Sequence, residues 1–496
     1  MTPASVARAV MSFITVVMLY GYLVVFLSHG EIPLPSGHST AKKNIDAYGF
    51  GPRKQRIVIA VDPWTIDPKD KIFANMTWSD VDGVHDQTIG IEIKGSTERR
   101  KLNYAIEIWG PEDDDTPCTS IETCEDDKAA LFEFGEKYED FVLRGGEHEP
   151  TLVRDILAND IQGNILEHTI VELLFRHSDG RVTYEGTYIL FTAIQRRVLD
   201  KRLDWDSSGK AKCDNVEDAS MIAEYTIQVG SRKAVGSRKA PCEEFDLDVK
   251  MRYPKCDMDE CLHDRLHAYF SVLNLQNETV VPLDMDSFVS TYLAEMLLRE
   301  DDFPYTSQYF FLTPDDVLVA GPAWDYDLTF WRVAPVEGWD IYDLQYYERG
   351  AIPLWLHLGQ HREFIDAVNQ VRAATVATNR QKTHDIIDTR IAQSRAGHFD
   401  RNNQRWKSYQ NADSRAQQMV EAVYNKEGRT KSTMEEELAF MKSRVDARSD
   451  WMSAHPVEPF GVRVFELTLY LTLLFVPLFI MVIALIGLCI YKCKQK

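Results

Sequence analysis

No glycine-rich phosphate loop of the Walker or Rossmann kind occurs in the chain, which excludes nucleotide binding through either of those loop-to-helix cradles. Excess positive charge is missing as well. Lys and Arg number 55 against 76 Asp and Glu, a formal net charge of -21, and no basic stripe with interleaved aromatics runs against that balance. A phosphate backbone would be repelled, so nucleic acid is excluded as a partner. Cysteine is scarce, with 8 residues in 496. None of them shows Cys-x-x-Cys spacing and no His is paired with them at ligand distance, which argues against a zinc site.

What is present is a globular composition, 45% hydrophobic and 26% charged, long enough for one large domain or two ordinary ones. Two apolar stretches frame it. Val10 to Leu27 follows Arg8 and reads as a signal anchor or a signal peptide; Leu467 to Ile490 is long enough to span a bilayer and is followed by Lys492, Lys494 and Lys496. Those lysines favour a cytosolic tail, with the bulk of the chain lumenal or extracellular and the lipid bilayer as a partner. Lysines third and fifth from the end also resemble a dilysine retrieval signal read by coat proteins, the alternative being an ordinary positive-inside stop. The endoplasmic reticulum or early secretory pathway is therefore expected, or else the plasma membrane. Six cysteines between the two stretches allow three disulfides, most simply with Cys118 to Cys124 and Cys256 to Cys261 as pairs. Asn75 and Asn277 begin glycosylation sequons that only a lumenal domain could use.

Strand-like alternation covers Arg56 to Val61, Thr88 to Lys94 and Asn103 to Trp109, and an acidic surface loop, 111–127, interrupts it. Thr151 to Leu166 carries Val153, Ile156, Leu157 and Ile161 on one helical face. Thr169 to Arg176 and Arg181 to Thr192 flank Ser178-Asp179-Gly180 as a hairpin. Between 204 and 255 the pattern dissolves into a loop-like insertion holding two Gly-Ser-Arg-Lys-Ala copies. Helical patterning returns at Asp257 to Leu275 and dominates after Trp331, over Pro353 to Val371, Thr383 to Ala396 and Ser432 to Ser449.

The stretch with the most chemistry runs from Asp284 to Phe330. A helix pattern from Asp286 ends in Arg299, Glu300, Asp301 and Asp302; a strand, a Thr313-Pro314-Asp315-Asp316 turn and a second strand then lead to Trp324-Asp325-Tyr326-Asp327. Paired strands lie about 4.8 Å apart, so the two acidic ends meet at the open end of the hairpin. Spacing alone leaves two readings. Either the acids are a solvated helix end and a polar strand exit, or they are one carboxylate for a hydroxyl and another for a divalent cation, the minimal arrangement for phosphoryl transfer.

This run resembles the CotH family of protein-kinase-like enzymes, whose members carry a helix ending in Asp, an aromatic strand, a Gly-Pro and a Trp-Asp-aromatic-Asp motif. Ile91 to Lys101, Tyr104 to Glu107, Phe141 to Arg144, Leu152-Val153-Arg154-Asp155 and Tyr184 to Leu190 resemble further family motifs in the family's order. The resemblance implies an α+β, atypical protein-kinase-like, two-lobed fold: a β-rich N-lobe at 56–200, an insertion at 204–255 and a helical C-lobe at 257–455. The apolar reading of the ends adds flanking transmembrane helices to it: a signal anchor or signal peptide at 1–30 before a linker at 31–55, and a transmembrane helix at 464–491 before a cytosolic tail at 492–496. The resemblance implies ATP with Mg²⁺ or Mn²⁺ as cofactors and a protein substrate. Asp302 would orient the acceptor hydroxyl and take its proton, and Asp325 and Asp327 would hold the metal. Lys101, with Lys94 as the alternative, and Arg144 would reach phosphate. Departures from the pattern are Arg99-Arg100-Lys101-Leu102 in place of Pro-Lys-Lys and Phe191-Thr192-Ala193-Ile194 where relatives carry a glutamate; Ser307 stands where many members have Asn or Ser, and its oxygen can still support a metal. Glu185 or another acid would have to substitute for the missing glutamate to orient the lysine. Two other readings stay open: a pseudokinase serving as a binding module, and a kinase-fold nucleotidyl transferase.

Overall fold

The computed structural model describes residues 55–79, 83–95, 100–111, 118–147, 149–163, 166–194, 221–225, 249–253, 282–300, 307–313, 317–330, 355, 358–359, 361–397, 399–406 and 433–458. Asp302, the two apolar stretches, the Gly-Ser-Arg-Lys-Ala copies, the expected helix at 257–275, the C-terminal lysines, Asn277 and the cysteines other than Cys118 and Cys124 lie outside them.

Strands β1 (Arg56–Ala60), β2 (Ile72–Ser79), β3 (Val84–Lys94), β4 (Asn103–Pro111), β5 (Cys124–Asp126), β6 (Asp140–Arg144), β7 (His168–Arg176) and β8 (Val182–Thr192) form one sheet in the order β3-β2-β1-β7-β8-β6-β4-β5. Because β3 pairs with β4 as well as with β2, seven of these strands close on themselves as a barrel. β1 and β7 are the parallel pair in it, with Ile57 opposite Leu173 and Ile59 opposite Phe175. Alternate residues fill the core: Ile57 and Ile59, Ala74 and Met76, Ile89 and Ile91, Ile106 and Ile108 are all buried. The acidic loop is tied by the expected Cys118–Cys124 disulfide, and β5 just past it pairs back onto β4.

Helix α1 (Arg154–Ile161) follows β6. Helix α2 (Met285–Leu298) starts at Asp284, whose carboxylate caps Ser287 N at 2.8 Å, and is buried around most of its surface. β11 (Gln308–Leu312) and β12 (Leu318–Ala320) form the expected hairpin, with Phe310 opposite Ala320. The insertion is not featureless. Its β9 (Met221–Tyr225) and β10 (Val249–Tyr253) extend that hairpin into a four-stranded sheet, β10-β9-β11-β12. Helices α3 (Arg362–Arg395), α4 (Asp400–Trp406) and α5 (Met434–Ala454) complete the described elements; α5 opens with a Thr433/Glu436 capping box. Where two amphipathic stretches were expected, α3 is one helix of 34 residues. The intervening sequence, Arg372 to Lys382, holds neither Gly nor Pro to break it.

The expected two-lobed kinase architecture flanked by transmembrane helices is corrected by this topology. The β-rich part is a closed seven-stranded barrel, and it belongs with the helices to one compact unit over Lys43–Lys496. Among the described residues no helix is long and apolar enough to cross a membrane.

A bulge in the barrel fixes where α4 docks. The β7–β8 register shifts between Leu173 and Leu174, opposite Gly186 and Tyr184, leaving Glu185 as the extra residue. Gly186 has φ +150°, and a Cβ there would lie 2.8 Å from Trp406 Nε1 and 2.9 Å from both Asn402 Oδ1 and Lys101 Cε. Trp406 Nε1 donates to Glu185 O at 2.7 Å, and Thr187 N donates to Asn402 Oδ1 at 3.0 Å.

Candidate active site

The barrel strand β6 ends at Arg144, and this buried guanidinium is where the acids converge. Its Nη2 lies 2.6 Å from Asp325 Oδ1, 3.1 Å from Asp155 Oδ2 and 3.9 Å from Asp327 Oδ2. Burial opposes the charge on Arg144, but Asp155, Asp325 and Asp327 outweigh it and hold the group well above its ordinary pKa. The guanidinium also sits 5.5 Å from the centre of the Trp324 ring, which meets Phe191 and Tyr309 edge-on.

Asp155 was named in the sequence only as part of a helix motif, yet it splints the site. One of its oxygens accepts from Arg144, and the other accepts from Tyr326 N at 2.8 Å. The peptide between Asp325 and Asp327 is thus fastened to the first turn of α1. Asp325 itself adopts φ +66° and Ser307 φ +58°, both in the left-handed region, and Ser307 Oγ donates to Asp325 Oδ2 at 3.4 Å. Such conformations cost about 1–3 kcal/mol each and persist where surrounding contacts over-determine them. Asp325 is the most open of the acids, with 29% of its side chain exposed against 7% for Asp327.

Arg154, next to Asp155, supports the turn from behind. Its Nε donates to Thr329 O at 2.7 Å, and its other nitrogens pair with Glu149 at 2.9 Å and with Glu437 of α5 at 2.6 Å. Glu149 in turn accepts from Val153 N at 2.8 Å and caps the start of α1.

The structure therefore brings Arg144, Asp325 and Asp327 together and leaves Lys101 apart. Lys101 Nζ donates to Thr187 O at 2.6 Å and to Asn402 Oδ1 at 3.0 Å, and lies 4.7 Å from the centre of the Tyr188 ring. Among the described residues it makes no ion pair with Asp325 or Asp327. Glu185 does not replace the missing glutamate by direct pairing: it bonds Arg405 at 3.2 Å and reaches Lys101 through its field alone. Lys94, the alternative, stands at the exposed end of β3. A cavity of about 560 Å³ opens between β7 and α3, lined by His168, Glu172, Thr187 and Arg390 and by none of the residues of the acidic centre.

Burial pulls the Lys101 ammonium down to about 7, against the opposing pull of Glu185, Glu147 and Glu149. Since that value lies below the ordinary lysine pKa, the unfolded chain binds more protons between them, and stability from this group rises with pH across that window. The unfolding free energy of the wild type relative to Lys101→Met is expected to climb between pH 7 and 10, by at most about 1.4 kcal/mol per pH unit. Parallel denaturation curves at stepped pH check this; a constant difference would place the lysine charge in solvent.

Arg144, buried and splinted by Asp155, thus grips two carboxylates where a hairpin runs out. The family model of the CotH kinase protein matches residues 91–452, a span that takes in Lys101, Arg144, Asp155, Asp325 and Asp327. The chain belongs to the CotH family, and its function is kinase-related. No curated protein matches it.

Proposed function

We propose that this chain is an ATP-dependent protein kinase that transfers the γ-phosphate to Ser or Thr hydroxyls of proteins. The observation that carries the reading is the Arg144–Asp325 contact at 2.6 Å, with Asp155 and Asp327 on the same guanidinium. Three carboxylates around one guanidinium make a site with spare negative charge. Asp325, Asp327 and Ser307 present hard oxygens to it, the donor set that suits Mg²⁺ or Mn²⁺. Such an ion, when bound, neutralises charge on the β- and γ-phosphates of ATP.

The chain's own residues position and restrain. Arg144 sets the direction of the Asp325 carboxylate, Asp155 fixes the Tyr326 peptide, and Trp324 shields the guanidinium from water. With little covalent work to do, that fixed geometry accounts for most of the rate such a site can give. Asp302, outside the described residues, is assigned the acceptor hydroxyl on the strength of its motif. The Cys118–Cys124 disulfide supports an oxidising compartment, and hence secretory-pathway or extracellular protein substrates.

One observation favours a second reading, a binding module without transfer activity: the Lys101 ammonium is already occupied by Thr187 O and Asn402. Full-length protein incubated with Mn²⁺ and ATP labelled at either the α- or the γ-phosphate separates the readings. Label appearing on protein Ser or Thr from γ-labelled ATP alone is the expected result. Label from the α-phosphate would replace the kinase with a nucleotidyl transferase, and none from either would leave the binding module.

A further inference from the structure

Directly behind the acidic centre lies a cavity of about 10 Å³, the space that one water-sized particle needs. Gln162, Thr291, Glu295, Ser307, Gln308 and Tyr326 contribute to its wall. Glu295, on α2, is 1% exposed, and neither of its carboxylate oxygens has a hydrogen-bond partner. Gln162, at the end of α1, is 4% exposed; its Nε2 donates to Tyr326 Oη at 2.8 Å while its Oε1 has no partner.

Two residues of the wall, Glu295 and Gln162, thus carry three unpartnered acceptor oxygens between them. Desolvation pushes the Glu295 carboxyl well above its ordinary pKa, and among the described residues no cationic side chain offsets the burial. A buried carboxylate in that position needs a positive charge or a proton beside it. A proton would serve one oxygen; a cation in the cavity serves all three.

We propose that this cavity is a site for a monovalent alkali cation, coordinated by both oxygens of Glu295, Oε1 of Gln162 and the neighbouring hydroxyl oxygens. Among the described residues of the wall Glu295 is the one carboxylate, and a single positive charge balances it. Mg²⁺ keeps several waters when it binds, and there is no room for them here. The wall is continuous with the acidic centre. Ser307 also bonds Asp325, and Tyr326, which Gln162 holds by its hydroxyl, separates Asp325 from Asp327. An ion in this position braces the turn that carries both acids.

The test uses thermal unfolding of the full-length protein, without ATP and with divalent ions chelated, in NaCl, KCl, CsCl and choline chloride at one ionic strength. This readout does not depend on phosphotransfer, so it stands or falls separately from the kinase reading. A melting temperature several degrees higher in Na⁺ or K⁺ than in Cs⁺ or choline is expected, rising with the logarithm of the ion concentration, and the larger of the two responses names the ion. Glu295→Gln, which keeps the shape and removes the charge, is expected to abolish the difference. Equal melting of the wild type in all four salts would overturn the proposal and make Glu295 a neutral carboxyl beside a water. A salt preference that survives Glu295→Gln would overturn it equally, by placing the ion elsewhere.

Discussion

Asp325→Ala is expected to lower the rate of γ-phosphate transfer at least about 1,000-fold, equivalent to about 4 kcal/mol of transition-state stabilisation. The substitution removes the most exposed carboxylate of the centre and the closest acid on Arg144 at once. It is not expected to unfold the protein. Arg144 keeps Asp155, which it meets through both Nε and Nη2, and the Tyr326 peptide keeps its bond to the same carboxylate. Asp325→Asn is the sharper version, because it retains side-chain volume in the left-handed backbone position while deleting the charge. Both variants are to be assayed with γ-labelled ATP and Mn²⁺ beside a melting curve. Loss of activity with an unchanged melting temperature is the expected pattern. Activity within tenfold of wild type in either variant would remove Asp325 from the mechanism.

The hairpin that carries this aspartate was legible because its signals are local: two short apolar runs, a Pro-Asp-Asp turn between them and a capped helix ahead. The same holds for β7 and β8, whose turn ends at Gly180 with φ +81°. Closure of the barrel was not legible. It rests on β3 pairing with two neighbours and on β1 lying parallel to β7, more than 100 residues along the chain, and no local pattern encodes a partner so distant. β2 was passed over although Ala74, Met76 and Trp78 alternate with Asn75, Thr77 and Ser79, which is a period-2 signal. β9 pairs on the edge of β11, and β10 in turn on β9, partners that lie more than 80 residues apart or inside an insertion without local patterning. At the site, Arg144 and the two acids of the Trp-Asp-Tyr-Asp run were named from motifs and do meet. Asp155 escaped because an acid in the first turn of a helix has an ordinary explanation in the helix dipole. Lys101 carried a motif position, and nothing in the sequence forecast that Asn402, some 300 residues later, would bond its amine.

Arg154→Leu is expected to destabilise the protein by about 3–5 kcal/mol, the usual cost of leaving buried charges without their partner. Three separate elements depend on this one side chain: Thr329 at the end of the acidic turn, Glu149 ahead of α1 and Glu437 on α5. Leucine fills part of the space and satisfies none of them. The deficit should also vary with pH. Burial raises the Glu149 carboxyl above its ordinary pKa even with Arg154 opposing that shift, so removing the guanidinium raises it further. A carboxyl whose folded pKa exceeds its unfolded value supports the fold below the unfolded pKa and loses that support as pH rises through the folded one. The variant should therefore fall furthest behind wild type at neutral and alkaline pH and recover part of the difference near pH 4. Denaturant midpoints at pH 4 and pH 8 measure both effects. A loss under about 1 kcal/mol at pH 8 would mean that water replaces the guanidinium, and that the acidic turn stands without support from α5.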